Sequence, residues 1–307
     1  VRGAVMVVTL EPCDHTGKTG PCSRAVLEAG IGRVVYARRD LNPVSSGGAE
    51  RLRAGGVEVS ELDGVWEAME LSAPFCKRIE TGLPWVIAKW AQTIDGAVAT
   101  RTGSSRWISG ERSRRMVHRT RAVVDAVCVG VGTVAADDPM LTARGVTVRR
   151  VARRVVIDSR ARMPMGSALV RTARDVPVTV VCSGESVGEA GARIAALERA
   201  GVEVIAVDGN AEGRVDLRSG LRMLADRYDA TRVLVEGGAG VVSGLMGAGL
   251  VDEAQVYVAP MVLGDRAALG CVDFGGAREL AEAARFAVRS VRRAGADVRI
   301  RMVRCGD

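Results

Sequence analysis

Hydrophobic positions along this chain fall into short, nearly continuous runs divided by glycine, charged and turn-forming residues. Residues 3–10 (GAVMVVTL) predict a buried strand, 22–30 a helix ending at Gly30, and 33–37 (RVVYA) a second strand. Residues 46–55 predict a helix and 57–59 a short strand. Over 64–79, Trp66, Met69, Ala73 and Cys76 recur near one face of a helix. Thr81-Gly82-Leu83-Pro84 then reads as a boundary. The alternation restarts with strands at 85–91, 126–131, 154–158, 178–182, 202–207, 232–236, 254–259 and 298–303. Helices fit at 109–121, 188–200, 217–228 and 240–248, with Ser109 as the N-cap of the first. Strands this uniformly apolar are expected to be covered on both faces. The pattern is therefore α/β, in two domains, 1–80 and 84–307, without internal repeats or low-complexity tracts.

Composition refines this picture. The 307 residues give room for two domains, and with only 3% aromatics the core must be built from Val, Ala, Leu and Ile. The net charge of +7 comes almost wholly from arginine; the lysines are Lys18, Lys77 and Lys89. The arginines are scattered over both halves and not interleaved with aromatics, which excludes a nucleic-acid-binding class. Gly, Asp or Arg interrupts every apolar run before membrane-spanning length, which argues against a membrane protein. Seven cysteines, odd in number and irregularly spaced, fit a reducing, cytoplasmic compartment rather than a disulfide framework. No signal-peptide pattern opens the chain; it begins at Val1 almost directly in a strand, which suggests a missing start.

Candidate chemistry appears in two places. Thr9-Leu10-Glu11-Pro12-Cys13 ends a strand, and Cys22 opens the next helix, where a thiolate is favoured. Two thiolates and one imidazole would leave an open position on zinc, as a catalytic site needs, although the spacing alone favours two ordinary cysteines. The second half is denser. Lys89 lies within an apolar run, either as an edge residue reaching for water or as a placed charge. Gly237, Gly238 and Gly240 form a strand-to-helix turn that can offer backbone N–H groups to a pyrophosphate, or simply turn tightly. Arg121 and Arg144 could clamp a phosphate, and Ser159-Arg160 could read an adenosine phosphate.

Taken whole, LEPCDHTGKTGPC resembles the second half of the zinc motif of the bifunctional riboflavin-biosynthesis deaminase/reductase family, and the resemblance continues through Asp40-Leu41-Asn42-Pro43-Val44. The family carries a His-Ala-Glu motif upstream; this chain has only His15 and His118, neither of which matches it. The blocks KWAQTIDG, SSRWIS, GVGTVAADDPMLTAR, VVIDS and VEGGAGVVSGLM follow in the family's order. The resemblance implies a truncated cytidine-deaminase-like domain followed by a dihydrofolate-reductase-like α/β domain. In the first, Cys13 and Cys22 would be two ligands of an incomplete Zn site. In the second, NADPH would contact Ala91, Trp107, Thr133, Asp137, Ser159 and the segment Gly238, Ala239, Gly240, Val241, Val242, Ser243 and Gly244. A phosphorylated pyrimidine, 5-amino-6-(5-phosphoribosylamino)uracil, would contact Ser105, Arg121, Leu141, Arg144 and Glu236. Lys89, Asp95 and Glu236 would stand at the reaction centre, in a homo-oligomer. The resemblance thus implies reduction of a ribosylamine, with another pterin-like or ribosylamine substrate as the alternative, and little deaminase activity in this chain.

Overall fold

The computed structural model describes residues 1–62, 64–273 and 275–305 and contains two compact units, Val1–Leu83 and the chain from Pro84 onward. In the first unit, β1 (Val5–Val8), β2 (Arg33–Tyr36) and β3 (Glu58–Glu61) form a parallel sheet in that order. Helices α1 (Cys22–Glu28), α2 (Gly48–Ala54) and α3 (Trp66–Thr81) follow the strands. A small core of Val26, Val34, Leu52 and Val57 joins α1 and α2 to the sheet. Strand β1 lies at the sheet edge, with Val5 and Val7 largely exposed.

Two buried carboxylates organise the loops of this unit. Glu11 accepts hydrogen bonds from the backbone N–H groups of Asp40 and Ala49, at 3.1 and 2.9 Å. Asp40 in turn accepts from the Ser45 hydroxyl at 2.6 Å and the Asn42 N–H at 3.0 Å. A Cβ at Gly48 would lie 1.8 Å from the Pro12 carbonyl oxygen, so α2 can start against the Glu11-Pro12-Cys13 segment only because that position is glycine. The two stretches that carried the sequence resemblance are thus wired to each other.

In the second unit β4 (Trp85–Thr93) and the short β5 (Ala97–Ala99) lead to α4 (Glu111–Arg121). Then come β6 (Ala126–Gly130), α5 (Val131–Asp137), β7 (Arg153–Ile157), α6 (Ala168–Arg171), β8 (Val178–Ser183) and α7 (Val187–Arg199). They are followed by β9 (Glu203–Val207), α8 (Leu217–Tyr228), β10 (Arg232–Glu236), α9 (Ala239–Gly247) and β11 (Glu253–Ala259). The short β12 (Leu269–Gly270) precedes a hairpin of β13 (Phe286–Ala294) and β14 (Asp297–Arg304). Among the described residues these build a nine-stranded sheet in the order β13-β14-β11-β4-β10-β6-β7-β8-β9. All neighbours from β11 to β9 are parallel, and the β13–β14 hairpin adds antiparallel to β11. The fold is therefore α/β with one large mixed sheet.

One face of this sheet is sealed by Val127, Val129, Val156, Val180 and Leu234, packed with Leu169, Leu197 and Leu141. Such a Val-rich layer is what a sequence almost lacking aromatics must use. The expected cap of α4 is corrected. The helix begins at Glu111 behind Gly110, and Ser109 does not cap it. Instead Asp297, the first residue of β14, accepts from the Gly110 N–H at 2.8 Å and the Ser113 hydroxyl at 2.5 Å. The Gly130–Gly132 segment forms the start of α5, with Gly130 at its N-cap.

Candidate active site

In an open α/β sheet, ligands bind at the carboxyl ends of the strands where the strand order reverses. Here β10 returns between β4 and β6 to make that reversal. The register sets Glu236, the last residue of β10, beside Lys89 of β4, with Gln255 of β11 on the other side of Lys89. The Glu236 carboxylate is gripped by Arg121 of α4 in a fork, Nε to Oε1 at 2.5 Å and Nη2 to Oε2 at 2.7 Å. Both side chains are about nine-tenths buried, at 12% and 10% exposure. The third arm of the guanidinium, Nη1, donates to the Thr142 carbonyl at 3.0 Å. The structure thereby gathers Lys89, Arg121 and Glu236 into one cluster.

The electrostatics follow from this packing. Burial pushes the Glu236 carboxyl up, but Arg121, its hydrogen bonds and the Lys89 ammonium more than offset this, and its pKa lies below the usual glutamate value. Burial lowers the Lys89 pKa against the attraction of Glu236, and Arg121 lowers it further. The Lys89 ammonium sits 5.6 Å from the centre of the Tyr257 ring. Tyr257 is fully buried, its hydroxyl has no hydrogen-bond partner among the described residues, and burial pushes its pKa up to about 12. A fixed carboxylate beside an ammonium that gives up its proton more readily than usual can orient hydroxyl groups and supply a proton.

Asp95 stands apart from this cluster in its bonding. It lies in the β4–β5 turn and accepts from the N–H groups of Leu263 and Gly264, at 3.1 and 2.8 Å. The Thr93 hydroxyl and these N–H groups hold its pKa at about 2. Its visible work is to anchor the 261–264 loop.

The segment after α5 forms the other wall. Asp138 and Leu141 both adopt positive φ, 42° and 55°, a conformation that side chains resist. Leu141 is 2% exposed and part of the core, so a ligand would meet its backbone rather than its side chain. Arg144 is exposed, with Nη1 3.4 Å from the Thr142 hydroxyl. His118, one turn before Arg121 on α4, places Nδ1 3.2 Å from both the Thr142 carbonyl and the Arg144 N–H. Sequence reasoning passed over His118 and Tyr257. The spacing of His118 and Arg121 on one helical face was the available signal for the first; for Tyr257 there was none.

The residues expected to face a dinucleotide divide into two sets. Gly237 and Gly238 have φ of 58° and 75°, and a Cβ on Gly238 would lie 2.7 Å from the Thr133 hydroxyl oxygen. The glycine turn thus packs directly on α5. Helix α9 starts behind it without a side-chain cap, leaving the first N–H groups free of intrahelical acceptors, and no atom lies within 4 Å of a Cβ built on Gly240. Gly238, Ala239 and Gly240 are exposed and Val241 half-buried. In contrast, Val242 and Ser243 are buried, Ser243 accepts from the Asp273 N–H at 2.8 Å, and a Cβ on Gly244 would lie 2.8 Å from Leu217. These three positions serve packing, and the open part of the segment is its first turn. Trp107 is 67% exposed, with the Arg114 guanidinium 4.4 Å from its ring centre. Arg106 links that loop to the carboxylate and carbonyl of Asp137. Ser159, just beyond β7, uses its hydroxyl to accept from the Val215 N–H at 3.0 Å. Ala91 pairs with Tyr257 across β4 and β11.

In the first unit Cys13 and Cys22 are brought together, and hydrogen bonding to Cys13, then burial, raises the Cys22 pKa. Among the described residues no group of three or more His, Cys, Asp or Glu side chains is placed to hold a metal. The two cysteines do not by themselves fit a three-ligand zinc centre. Nor is any helix of the described residues long and apolar enough to cross a membrane.

Residues 84–300 match the RibD C-terminal domain family. The chain is 36% identical to the riboflavin biosynthesis protein RibD of Aquifex aeolicus over 97% of its own length and 80% of that protein's. A solved structure from Thermotoga maritima, a diaminohydroxyphosphoribosylaminopyrimidine deaminase/5-amino-6-(5-phosphoribosylamino)uracil reductase, is 33% identical. It superposes with a TM-score of 0.80, covering 99% of this chain and 80% of that one. The riboflavin biosynthesis reductase of Saccharomyces cerevisiae, 20% identical with a TM-score of 0.57, shares the fold over 77% of this chain and 98% of its own.

Proposed function

The chain belongs to the RibD family, and from that premise we propose that its second unit is the NADPH-dependent reductase of riboflavin biosynthesis, converting the ribosyl side chain of 5-amino-6-(5-phosphoribosylamino)uracil to the ribityl form. The carrying observation is the buried Arg121–Glu236 fork beside Lys89 at the strand-order reversal. The glycine turn at Gly237–Gly238 fits a dinucleotide, since Gly238 packs against Thr133 where a side chain would intrude and an uncapped helix start lies open behind it. Gly238, Ala239 and Gly240 would hold the pyrophosphate, with Thr133, Asp137, Trp107, Ala91 and Ser159 along the same cofactor. When bound, NADPH supplies a hydride.

The chain's own residues do the rest. The substrate's ribosylamine ring opens to an imine, whose former anomeric carbon is the electrophile. Glu236, fixed by Arg121, holds ribose hydroxyls and balances positive charge as the imine is protonated. Lys89, with its lowered pKa, supplies that proton. Arg144 and Ser105 bind the phosphate at the far end of the chain, and the Leu141 backbone closes over the pyrimidine. Cys13 and Cys22 lie in the stretch that resembles the family's deaminase motif, and two thiols do not by themselves make a three-ligand zinc centre.

Purified protein should oxidise NADPH when the deaminated, phosphorylated pyrimidine is supplied and not with dihydrofolate. Turnover of dihydrofolate or another pterin without turnover of that pyrimidine would overturn the proposal in favour of a different reductase of the same fold.

A further inference from the structure

We propose that His118 is a positioning residue whose bare Nδ1 accepts the Arg144 backbone N–H, and so fixes the turn that presents Arg144 to the substrate phosphate. The inference rests on the reading above for Arg144 itself.

Its basis is a count of donors and acceptors. His118 Nδ1 is 3.2 Å from the Thr142 carbonyl oxygen and 3.2 Å from the Arg144 backbone nitrogen. One ring nitrogen cannot serve both at once. With a proton it donates to Thr142; without one it accepts from Arg144. The Thr142 carbonyl already receives Arg121 Nη1 at 3.0 Å. The Arg144 N–H has no other acceptor among the described residues. The arrangement with both backbone groups satisfied therefore carries the proton on Nε2. The charged groups facing the ring agree with a neutral imidazole. Burial, then Arg121 on the same helix and Arg144 on the turn, lower its pKa; the Thr142 carbonyl and then Glu236 on β10 raise it, and the net shift is downward.

The consequence is a two-point attachment. Through residues three apart on one helical face, α4 holds the turn at Thr142 by Arg121 and at Arg144 by His118. Arg121 grips Glu236 at the same time, so the carboxylate and the turn share one reference frame. Loss of the His118 contact should free the Arg144 end alone.

The test has a spectroscopic and a kinetic arm, both on the full chain. The protein has only two histidines, so ¹⁵N-histidine labelling with a His15→Gln variant for assignment identifies the His118 ring nitrogens. At neutral pH, Nδ1 should show the shift of an unprotonated nitrogen and Nε2 that of a protonated one. In kinetics, His118→Asn puts an amide oxygen near the place of Nδ1 and should keep the pyrimidine KM within about threefold of the parent. His118→Leu, which has no acceptor, and His118→Gln, whose amide reaches the Nε2 position, should raise it about tenfold. The KM for NADPH and kcat should change less than twofold. A protonated Nδ1, equal effects of Asn and Gln, or equal losses for both substrates would overturn the proposal. If Leu does not fold, the Asn–Gln comparison decides. If the parent does not turn over the pyrimidine, it is the assignment of Arg144 that fails, and the nitrogen shifts still judge the hydrogen bond.

Discussion

Arg121 and Glu236 show how far single residues could be understood before the fold was known. Each stood out in the sequence as a substrate contact, yet they lie 115 positions apart, and nothing in the pattern announced that they bind each other. Removing the guanidinium would leave a buried carboxylate with Lys89 as its remaining charged partner. Arg121→Ala should therefore cost about 3 kcal/mol of stability, read by urea unfolding. The pH dependence has a definite sign. The folded pKa of Glu236 lies below the unfolded value, near 4.5, so the pair's contribution is complete above that value. It is lost as pH falls through the lower, folded pKa. Glu236→Gln should flatten this acid loss; an unchanged acid profile would show that the pair does not govern it. A second residue-scale expectation concerns Gly238. An alanine there meets both a φ of 75° and the Thr133 hydroxyl at 2.7 Å. The left-handed backbone should cost about 1–2 kcal/mol of stability, and displacement of the turn should raise the NADPH Kd in a fluorescence titration. Unaltered affinity would remove the glycine turn from the cofactor site.

At the scale of elements, helix α4 is the piece on which the site depends. It carries His118 and Arg121, and its start is tied by Asp297 to the β13–β14 hairpin. Asp297→Ala should lower stability by about 1–2 kcal/mol, as for other lost caps, and raise the pyrimidine KM because α4 positions Arg121. A fall in stability with an unchanged KM would mean that the start of α4 and its catalytic face are independent. This tie was invisible in the sequence because the cap comes from 187 residues away. The long parallel strands were legible because both of their faces are apolar. Strand β13 was missed because Arg289, Arg292 and Arg293 break its run, which only an edge position tolerates. The short helix α5 was not among the predicted helices; Gly130 at its start lies close to Val241, 3.0 Å from a Cβ built there. The glycine turn before α9 was legible as a motif, but the burial of Val242 and Ser243 was not, since that follows from which face of α9 meets the sheet.

The whole molecule joins two units that carry different sequence signals. Residues 84–300 match the RibD C-terminal domain family, and the yeast reductase shows that a similar fold makes up almost the whole of another chain. The first unit keeps the cysteine motif and its loop wiring through Glu11, while the described residues give the cysteines no third ligand. The proposed function centres on the reversal of strand order at β10, where the Glu236 carboxylate, the Lys89 ammonium and Arg121 are gathered. The most direct test follows the hydride itself. With NADPH deuterated at the transferable position and the deaminated pyrimidine as substrate, one deuterium should appear at the former anomeric carbon of the ribityl product by mass spectrometry and NMR. Consumption of NADPH with no deuterium at that carbon, or with deuterium on the pyrimidine ring, would contradict the account.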